Sequence, residues 1–458
     1  MPPKRPLVVM SNRGPLSFGR DATGDLRAKR GAGGLVVTLG PGVQREQALW
    51  VAAASSPDDI DAARSGLLDA EGFHMRAVEI DEATYRAYYD VVANQTLWFC
   101  IHGLWDLPRR PRFDRRWTEA WEAFRNVNER FASLAAEFAA EGGTVLVQDY
   151  QLALAPALLT RLRPDLRVVA FLHTPWCTPE ELGVLPDHAA DELIEGLAQV
   201  DACGFHSRRW ADAFLACCRE RLGREPSVFV APAAADADDL HAVAASPECA
   251  RELARLDDLV GDRRVIVRVD RMELSKNVLR GFWAFDELLD TRPDLRGRVV
   301  FAAKLYPSRQ GVADYLSYAQ EVQTLADRVN ARWATPDWTP IVIDSKDNHV
   351  AAVAALKRAD VLLVNPIRDG LNLVAKEGPL VNDRDGVLVL SRNAGAWDEL
   401  SEHALGINPF NVSGTAAALG EALDMGAGER AERAKALREA VEARTPLDWF
   451  DDLLAAAG

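Results

Sequence analysis

The segment DVLLVNPIRDGLNLVAKE, residues 360–377, decides how the fold is read. A short β-branched and leucine-rich run, Val361–Val364, gives way to a polar turn around a single glycine, Gly370, and then to residues suited to a helix. An apolar run of that length bounded by turn signals reads as a strand buried on both faces. A polar turn leading from it into a helix is the exit of a βα unit. In open sheets built of such units, ligands gather outside the carboxyl ends of the strands. The turn Asp369-Gly370-Leu371-Asn372-Leu373 would then present backbone N–H groups at a helix start to an anion or a sugar hydroxyl. Asp369 can accept from two hydroxyls, and Glu377, about two helical turns along, can take a ribose diol. The competing reading is local, because Asp and Asn at positions 369 and 372 are also common helix caps.

The same alternation runs through the rest of the chain. PLVVMS, TVLVQD, RVVAFLH and ACGFHS come early, and RVIVRVD, RVVFAAK, PIVIDS, DVLLVN and GVLVLS come late, with longer amphipathic stretches between them. This is the pattern of βαβ units and parallel sheets. It pauses over an Ala/Asp-rich helical stretch, residues 236–260. The fold class is therefore α/β, with two Rossmann-like doubly wound halves over residues 1–235 and 236–440 and a terminal segment over 441–458. The chain's last stretch reads as two helices broken at Thr445-Pro446, since proline cannot donate inside a helix. Its final helix either returns to the first half or forms an outer layer of the second. Near the start, RPLVVMSNRGP leads through a polar connection to RGAGGLVVTLG, where Gly31, Gly33 and Gly34 open a helix.

Composition narrows the classes. A chain of 458 residues exceeds what one core usually serves, and 48% hydrophobic with 26% charged residues is ordinary for a globular protein. No segment has the apolar length of a membrane span. The first apolar stretch, Leu7–Met10, is too short for a signal peptide, so a cytoplasmic protein is expected. A net charge of −15 argues against nonspecific nucleic-acid binding, and any phosphate must be held locally. Six cysteines without CxxC spacing point to reduced, buried thiols. Eight histidines without HExxH spacing point to no bound metal. Asp236-Ala-Asp238 and Asp383-Arg-Asp385 imitate a DxD metal signature but lie in helical or turn-like acidic surroundings, and are read as decoys.

Three further strand exits carry candidates. In RVDRMELSKN, residues 268–277, Arg271 offers a bidentate fork and Lys276 a point charge, a pairing suited to pyrophosphate. The bland alternative is a solvated charge pair with Glu273. In FLHTPWCTPEEL, residues 171–182, His173 can hydrogen-bond a sugar or steady a developing charge, or can be structural. In VLVQDYQL, Asp149 can be a base, a hydroxyl ligand or a helix cap. The GAGGL loop lacks both the Walker ending and the GxGxxG order, although its glycines let backbone approach a diphosphate.

Taken together, VVMSNRGP, GAGGL, YYDVVANQTLW, VLVQDYQL, FLHTPW, RMELSK, YPSRQ, NPIRDGLNLVAKE and VLSRNAGAWDEL resemble the trehalose-6-phosphate synthase family of retaining glycosyltransferases, in family order from residue 7 to about 410. The resemblance implies a GT-B fold: two Rossmann-like domains facing across a cleft, with domain closure as the gating motion. The first domain would bind the acceptor and the second the nucleotide sugar.

By this resemblance the chain would transfer glucose from GDP-glucose or UDP-glucose to glucose 6-phosphate, with no metal or other cofactor. Asp369 and the amides of Gly370, Leu371, Asn372 and Leu373 would hold the donor glucose and Glu377 the ribose. Arg271 and Lys276 would clamp the pyrophosphate, covered by Gly33 and Gly34, and His173 would contact the glucose near the scissile bond. Arg13, Tyr89, Trp98, Asp149 and Arg309 would hold the acceptor, with both arginines on its phosphate and Trp50 lining the same pocket. Gln148 and Gln151 stand where many relatives have histidines, and Asn277 where glycine is common. The form RMELSKN is closer to bacterial members of the GDP-glucose type. The rivals are a cyclitol-coupling pseudo-glycosyltransferase and a silent sugar-phosphate sensor, both expected to alter residues that are intact here. Oligomeric state is left open, a homo-oligomer included. The sequence ends after the second half, so no fused phosphatase is expected.

Overall fold

All nine apolar runs become strands of two parallel sheets. The computed structural model describes residues 4–31, 34–309 and 311–458. By its internal packing the chain divides into one unit of Met1–Ala233 with Pro446–Gly458 and a second of Ala234–Thr445. The first unit holds β1 (Arg5–Met10), β2 (Leu16–Arg20), β3 (Leu26–Arg30), β4 (Leu49–Ala54), β5 (His74–Glu79), β6 (Ala139–Gln148), β7 (Arg167–Leu172), β8 (Ala202–Phe205) and β9 (Val228–Val230). Its sheet runs β5-β4-β1-β6-β7-β8-β9, so the order reverses between β1 and β6, where Val8 faces Val145.

The second unit holds β10 (Arg264–Arg271), β11 (Val299–Tyr306), β12 (Ile341–Asp344), β13 (Val361–Val364), β14 (Val387–Ser391) and β15 (Leu405–Ile407). Its order, β12-β11-β10-β13-β14-β15, reverses between β10 and β13. Those two strands are buried along nearly their whole length, as helices on both faces of a parallel sheet require. Their buried stretch includes one charged pair, Arg268 in mid-strand, fully buried, and Asp270 at 2.7 Å. Gly281 makes room for it, since a Cβ there would lie 2.7 Å from the Arg268 Nη1.

Four strands of the parallel sheets escape the sequence pattern, among them the three-residue edge strands β9 and β15. LWVAAA of β4 is alanine-rich, and HMRAVE of β5 is a half-buried edge strand with few β-branched residues. The polar connection after Asn12-Arg13 contains an antiparallel hairpin, β2 with β3. The helix behind it begins at Gly34 and runs to Arg45; Gly33 lies outside the described residues.

The helix Ala427–Glu442 belongs to the second unit, whereas Pro446–Ala455 belongs to the first. There it lies on the helix Gly34–Arg45, with Phe450 so close to Gly42 that a Cβ would sit 2.2 Å from its ring. Trp449 donates to Ala231 O at 3.0 Å, and Arg45 pairs with Asp451. Burial of Trp449 and Phe450 contributes about 1.5–3 kcal/mol each to that docking. All six cysteines are free and buried. No helix among the described residues is long and apolar enough to cross a membrane.

Candidate active site

At a switch point the loops leave neighbouring strands in opposite directions and open a crevice at their carboxyl ends. In the second unit these loops are residues 271–277 after β10 and 365–373 after β13. They are stitched together by backbone: Ile367 N–H donates to Ser275 O at 2.8 Å. Asn277 and Asn365 exchange amide bonds to each other's carbonyls at 3.0 and 3.2 Å. Asn277 sits at φ +60°, a left-handed position suited to Gly or Asn. The buried Arg268 donates to Lys276 O at 2.8 Å and braces the same turn from below.

Lys276 and Asp369, 93 residues apart, meet here: Nζ lies 2.6 Å from Oδ2. Burial opposes the ammonium, yet Asp369 and Asp270 hold the Lys276 pKa above its ordinary value. Asp369 also accepts from Asn372 Nδ2 at 3.1 Å. The cap is made by Asn372, whose Oδ1 takes Ala375 N–H at 3.4 Å, so Asp369 is the ion-pair partner and Asn372 the capping residue. Asn393–Ala396 underlies this turn: Gly395 N–H donates to Asp369 O at 3.2 Å, and Ala396 N–H to Leu371 O at 2.8 Å. A Cβ on Gly395 would lie 1.9 Å from Gly370 O, so only glycine allows that approach. Gly370, Leu371 and Asn372 are buried and Leu373 half-buried.

Glu273 is not a solvated partner of Arg271 but a fully buried carboxylate. Its Oε1 lies 3.2 Å from Arg271 Nη1 and 3.9 Å from Arg309 Nη1, and accepts from Ser308 Oγ at 2.7 Å. Burial alone would raise its pKa, but Arg271, Arg309 and Lys276 pull it down to about 2. Arg271 keeps 44% of its side chain exposed while its Nη1 is held by Glu273. Arg309, at φ +45°, donates to Tyr315 OH at 2.5 Å. It therefore clusters with Arg271, while Arg13 belongs to the first unit. Glu377, on the helix Val374–Val381, has its pKa pushed up to about 7 by burial.

The first unit's switch point has a different character. Asp149, directly after β6, has φ +70° and ψ 166°, a region other residues leave to glycine. It makes no side-chain cap to the following turn; its Oδ1 accepts His173 N–H at 3.3 Å. The ring of His173 lies 3.1 Å from His206 and 2.9 Å from Gln148 Oε1, nitrogen to nearest atom. Burial lowers its pKa to about 3. Arg13 is exposed and lies over Tyr89, 5.9 Å from the ring centroid. Tyr89 lies on an unusually wide helix, Arg86–Leu97, and the buried Trp98 just past its end closes it by donating N–H five residues back to Ala93 O. Trp98 stacks on His102 with centroids 3.8 Å apart. Trp50 lines no pocket: it has no exposed surface, packs edge-on to Phe73, and donates to Ser11 Oγ at 2.7 Å.

Two residues escaped the sequence reading. Glu273 lies between apolar Met272 and Leu274 in RMELSK, a hint of burial. His206 follows β8 directly, as His173 follows β7, so the same strand-exit signal was present in GFHS. Among the described residues, no group of three His, Cys, Asp or Glu side chains is placed to hold a metal.

The family model of glycosyltransferase family 20 matches residues 5–457. A bifunctional trehalose-6-phosphate synthase/phosphatase of Thermoproteus tenax is 32% identical over 98% of this chain, which spans 63% of that relative's length. A trehalose-6-phosphate synthase of Mycolicibacterium gilvum is 34% identical, over 99% of this chain and 93% of the relative. A solved E. coli structure, trehalose-6-phosphate bound with UDP-2-fluoro glucose, superposes with a TM-score of 0.86 at 27% identity, over 98% of each chain. Two doubly wound units, charged and polar strand exits at both switch points and a match over nearly every residue agree: the chain belongs to glycosyltransferase family 20 and is a glycosyltransferase of the GT-B fold.

Proposed function

We propose that the protein transfers glucose from a nucleoside-diphosphate glucose to glucose 6-phosphate, with retention of anomeric configuration, giving α,α-trehalose 6-phosphate. The observation that carries this reading is the Lys276–Asp369 pair at the second switch point with the exposed Arg271 fork beside it. When the donor bond breaks, negative charge grows on the departing diphosphate. Lys276 is already ionised and fixed, so it stabilises that charge without reorganisation, and Arg271 adds two parallel donors. These cations take the neutralising role with no metal required.

Asp369 and the amides of residues 370–373 hold the donor glucose, Glu377 the ribose, and Gly34, the first residue of its helix, offers backbone to the diphosphate. Tyr89, Trp98 and Asp149 take the acceptor sugar, and Arg13 and Arg309 take phosphate. The acceptor hydroxyl attacks from the face the diphosphate leaves, and its proton passes to the departing phosphate; no side chain acts as nucleophile. Rate comes from orientation and charge stabilisation.

The test mixes purified protein with glucose 6-phosphate and either UDP-glucose or GDP-glucose, follows nucleoside diphosphate release, and identifies the product by NMR. An α,α-1,1-linked disaccharide phosphate supports the reading. The relative rates name the donor, UDP being the base in the E. coli neighbour's ligand and GDP the base suggested by RMELSKN. Folded protein that binds nucleotide yet releases none from either donor sinks it, in favour of cyclitol coupling or sensing.

A further inference from the structure

We propose that the imidazole of His173 is locked as the neutral Nε2–H tautomer by a one-way chain of hydrogen bonds, Ala233 to His206 to His173 to Gln148. His206 and Gln148 are thereby positioning residues for the Asp149–His173 corner.

One backbone group sets the direction. The Ala233 N–H lies 3.2 Å from His206 Nδ1 and can only donate, so that nitrogen carries a lone pair. The His206 proton is therefore on Nε2, which lies 3.1 Å from Nδ1 of His173. That nitrogen accepts in turn, which leaves the His173 proton on Nε2, donated to Gln148 Oε1 over 2.9 Å. Protonating His206 would set its Nδ1–H against the Ala233 N–H, and protonating His173 would set two imidazole N–H groups against each other. The surroundings favour the same state. Phe171 and Trp449 pack on the ring at centroid distances of 5.1 and 5.7 Å, and the Asp149 carboxylate takes the peptide N–H of His173 rather than its ring. Burial depresses the imidazolium in keeping with this, to a pKa of about 3.

Both ring nitrogens are thus committed inside the unit, and His173 moves no proton during transfer. What the lock supports is Asp149, whose backbone at φ +70°, ψ 166° persists only where its surroundings over-determine it. Its own N–H goes to Phe171 O at 2.7 Å and its carboxylate to His173 N–H. A ring held at both nitrogens keeps that peptide from turning. The direction set by the Ala233 N–H turns the Gln148 oxygen, not its nitrogen, towards His173.

The tautomer stands on geometry alone, whereas its kinetic consequence rests on the glucosyl-transfer reading. The test uses the full chain labelled with 15N-histidine, with long-range 1H–15N correlation spectra from pH 7 to 5 and the His173 signals identified against His173→Gln. Neutral Nε2–H patterns for both His173 and His206 throughout are expected. An Nδ1–H tautomer or an imidazolium at His173 in that range overturns the lock.

In the second arm, Gln148→Leu removes the acceptor and lowers kcat roughly tenfold, and Gln148→His, which can accept at the same place, recovers most of it at pH 8. Equal kcat in all three overturns the positioning role. A locked tautomer in a protein that transfers no glucose supports the lock and counts against the transfer reading instead.

Discussion

The two switch points handle charge in opposite ways. In the second unit the strand exits pair Lys276 with Asp369 and set Arg271 and Arg309 on the fully buried Glu273. In the first, the Asp149 carboxylate accepts the peptide N–H of His173, whose ring is held between His206 and Gln148 by hydrogen bonds among neutral groups. Fixed, partly desolvated cations are worth most where charge appears during reaction. Neutral, fully directed hydrogen bonds suit a partner whose charge does not change. The contrast teaches that one doubly wound frame, used twice, is specialised by the few residues just beyond its central strands.

The largest test of that contrast is Lys276→Ala. It removes the pre-ionised cation and its ion pair with Asp369, and turnover is expected to fall about 10²- to 10³-fold. A variant whose donor KM rises while kcat holds would break the comparison, because the cation would then serve binding alone.

Next in size is Glu273→Gln, which keeps the Ser308 contact and removes the charge shared by Arg271 and Arg309; kcat/KM should drop roughly 10- to 100-fold. The same variant has a stability signature. Because the Glu273 pKa falls from an ordinary 4.5 to about 2 in the fold, its carboxylate stabilises the native state above pH 4.5, and that contribution is lost as pH falls towards 2. The gap between the urea midpoints of the two proteins should therefore be full at pH 6 and shrink steadily as pH falls below 4.5 towards 2. A constant gap would mean that the ionised carboxylate is not what matters.

A smaller effect is expected at the loop that carries Lys276. Asn277→Gly accepts the left-handed backbone but loses the side-chain bonds to Asn365 O and Pro409 O. The expected cost is about 1–2 kcal/mol in urea unfolding, with kcat falling less than for Glu273→Gln. The smallest effect concerns Glu377, whose pKa is raised from 4.5 to about 7. Its protonated form is favoured in the fold, so its stabilisation is present below pH 4.5 and lost as pH rises through 7. Glu377→Gln should flatten that part of the melting profile between pH 5 and 8, opposite in sign to Glu273. Matching slopes for the two variants would erase the distinction between a paired and an unpaired carboxylate.

Much of this was legible in the sequence. Nine strand runs, the helical pause near residue 236, the break at Pro446 and every strand exit bearing Asp149, His173, Arg271, Lys276 and Asp369 could be read directly, because apolar run length and turn chemistry are local properties. The strands LWVAAA and HMRAVE could not, since alanine and mixed polarity carry no β signal and only pairing with neighbours makes them strands. Trp50 was placed in the pocket by the resemblance alone, because an aromatic in a strand carries no local mark of which way it faces.

By itself the sequence determined two parallel-sheet halves and the chemical types at their exits. Only the tertiary structure decided which of those groups meet. Lys276 finds Asp369 across 93 residues because β10 and β13 lie side by side at the reversal of strand order. Glu273 is turned inward to hold two arginines, and His206 is brought against His173 because β7 pairs with β8. Strand order and burial are set by the summed packing of the whole sheet, a non-local quantity that no window of residues contains.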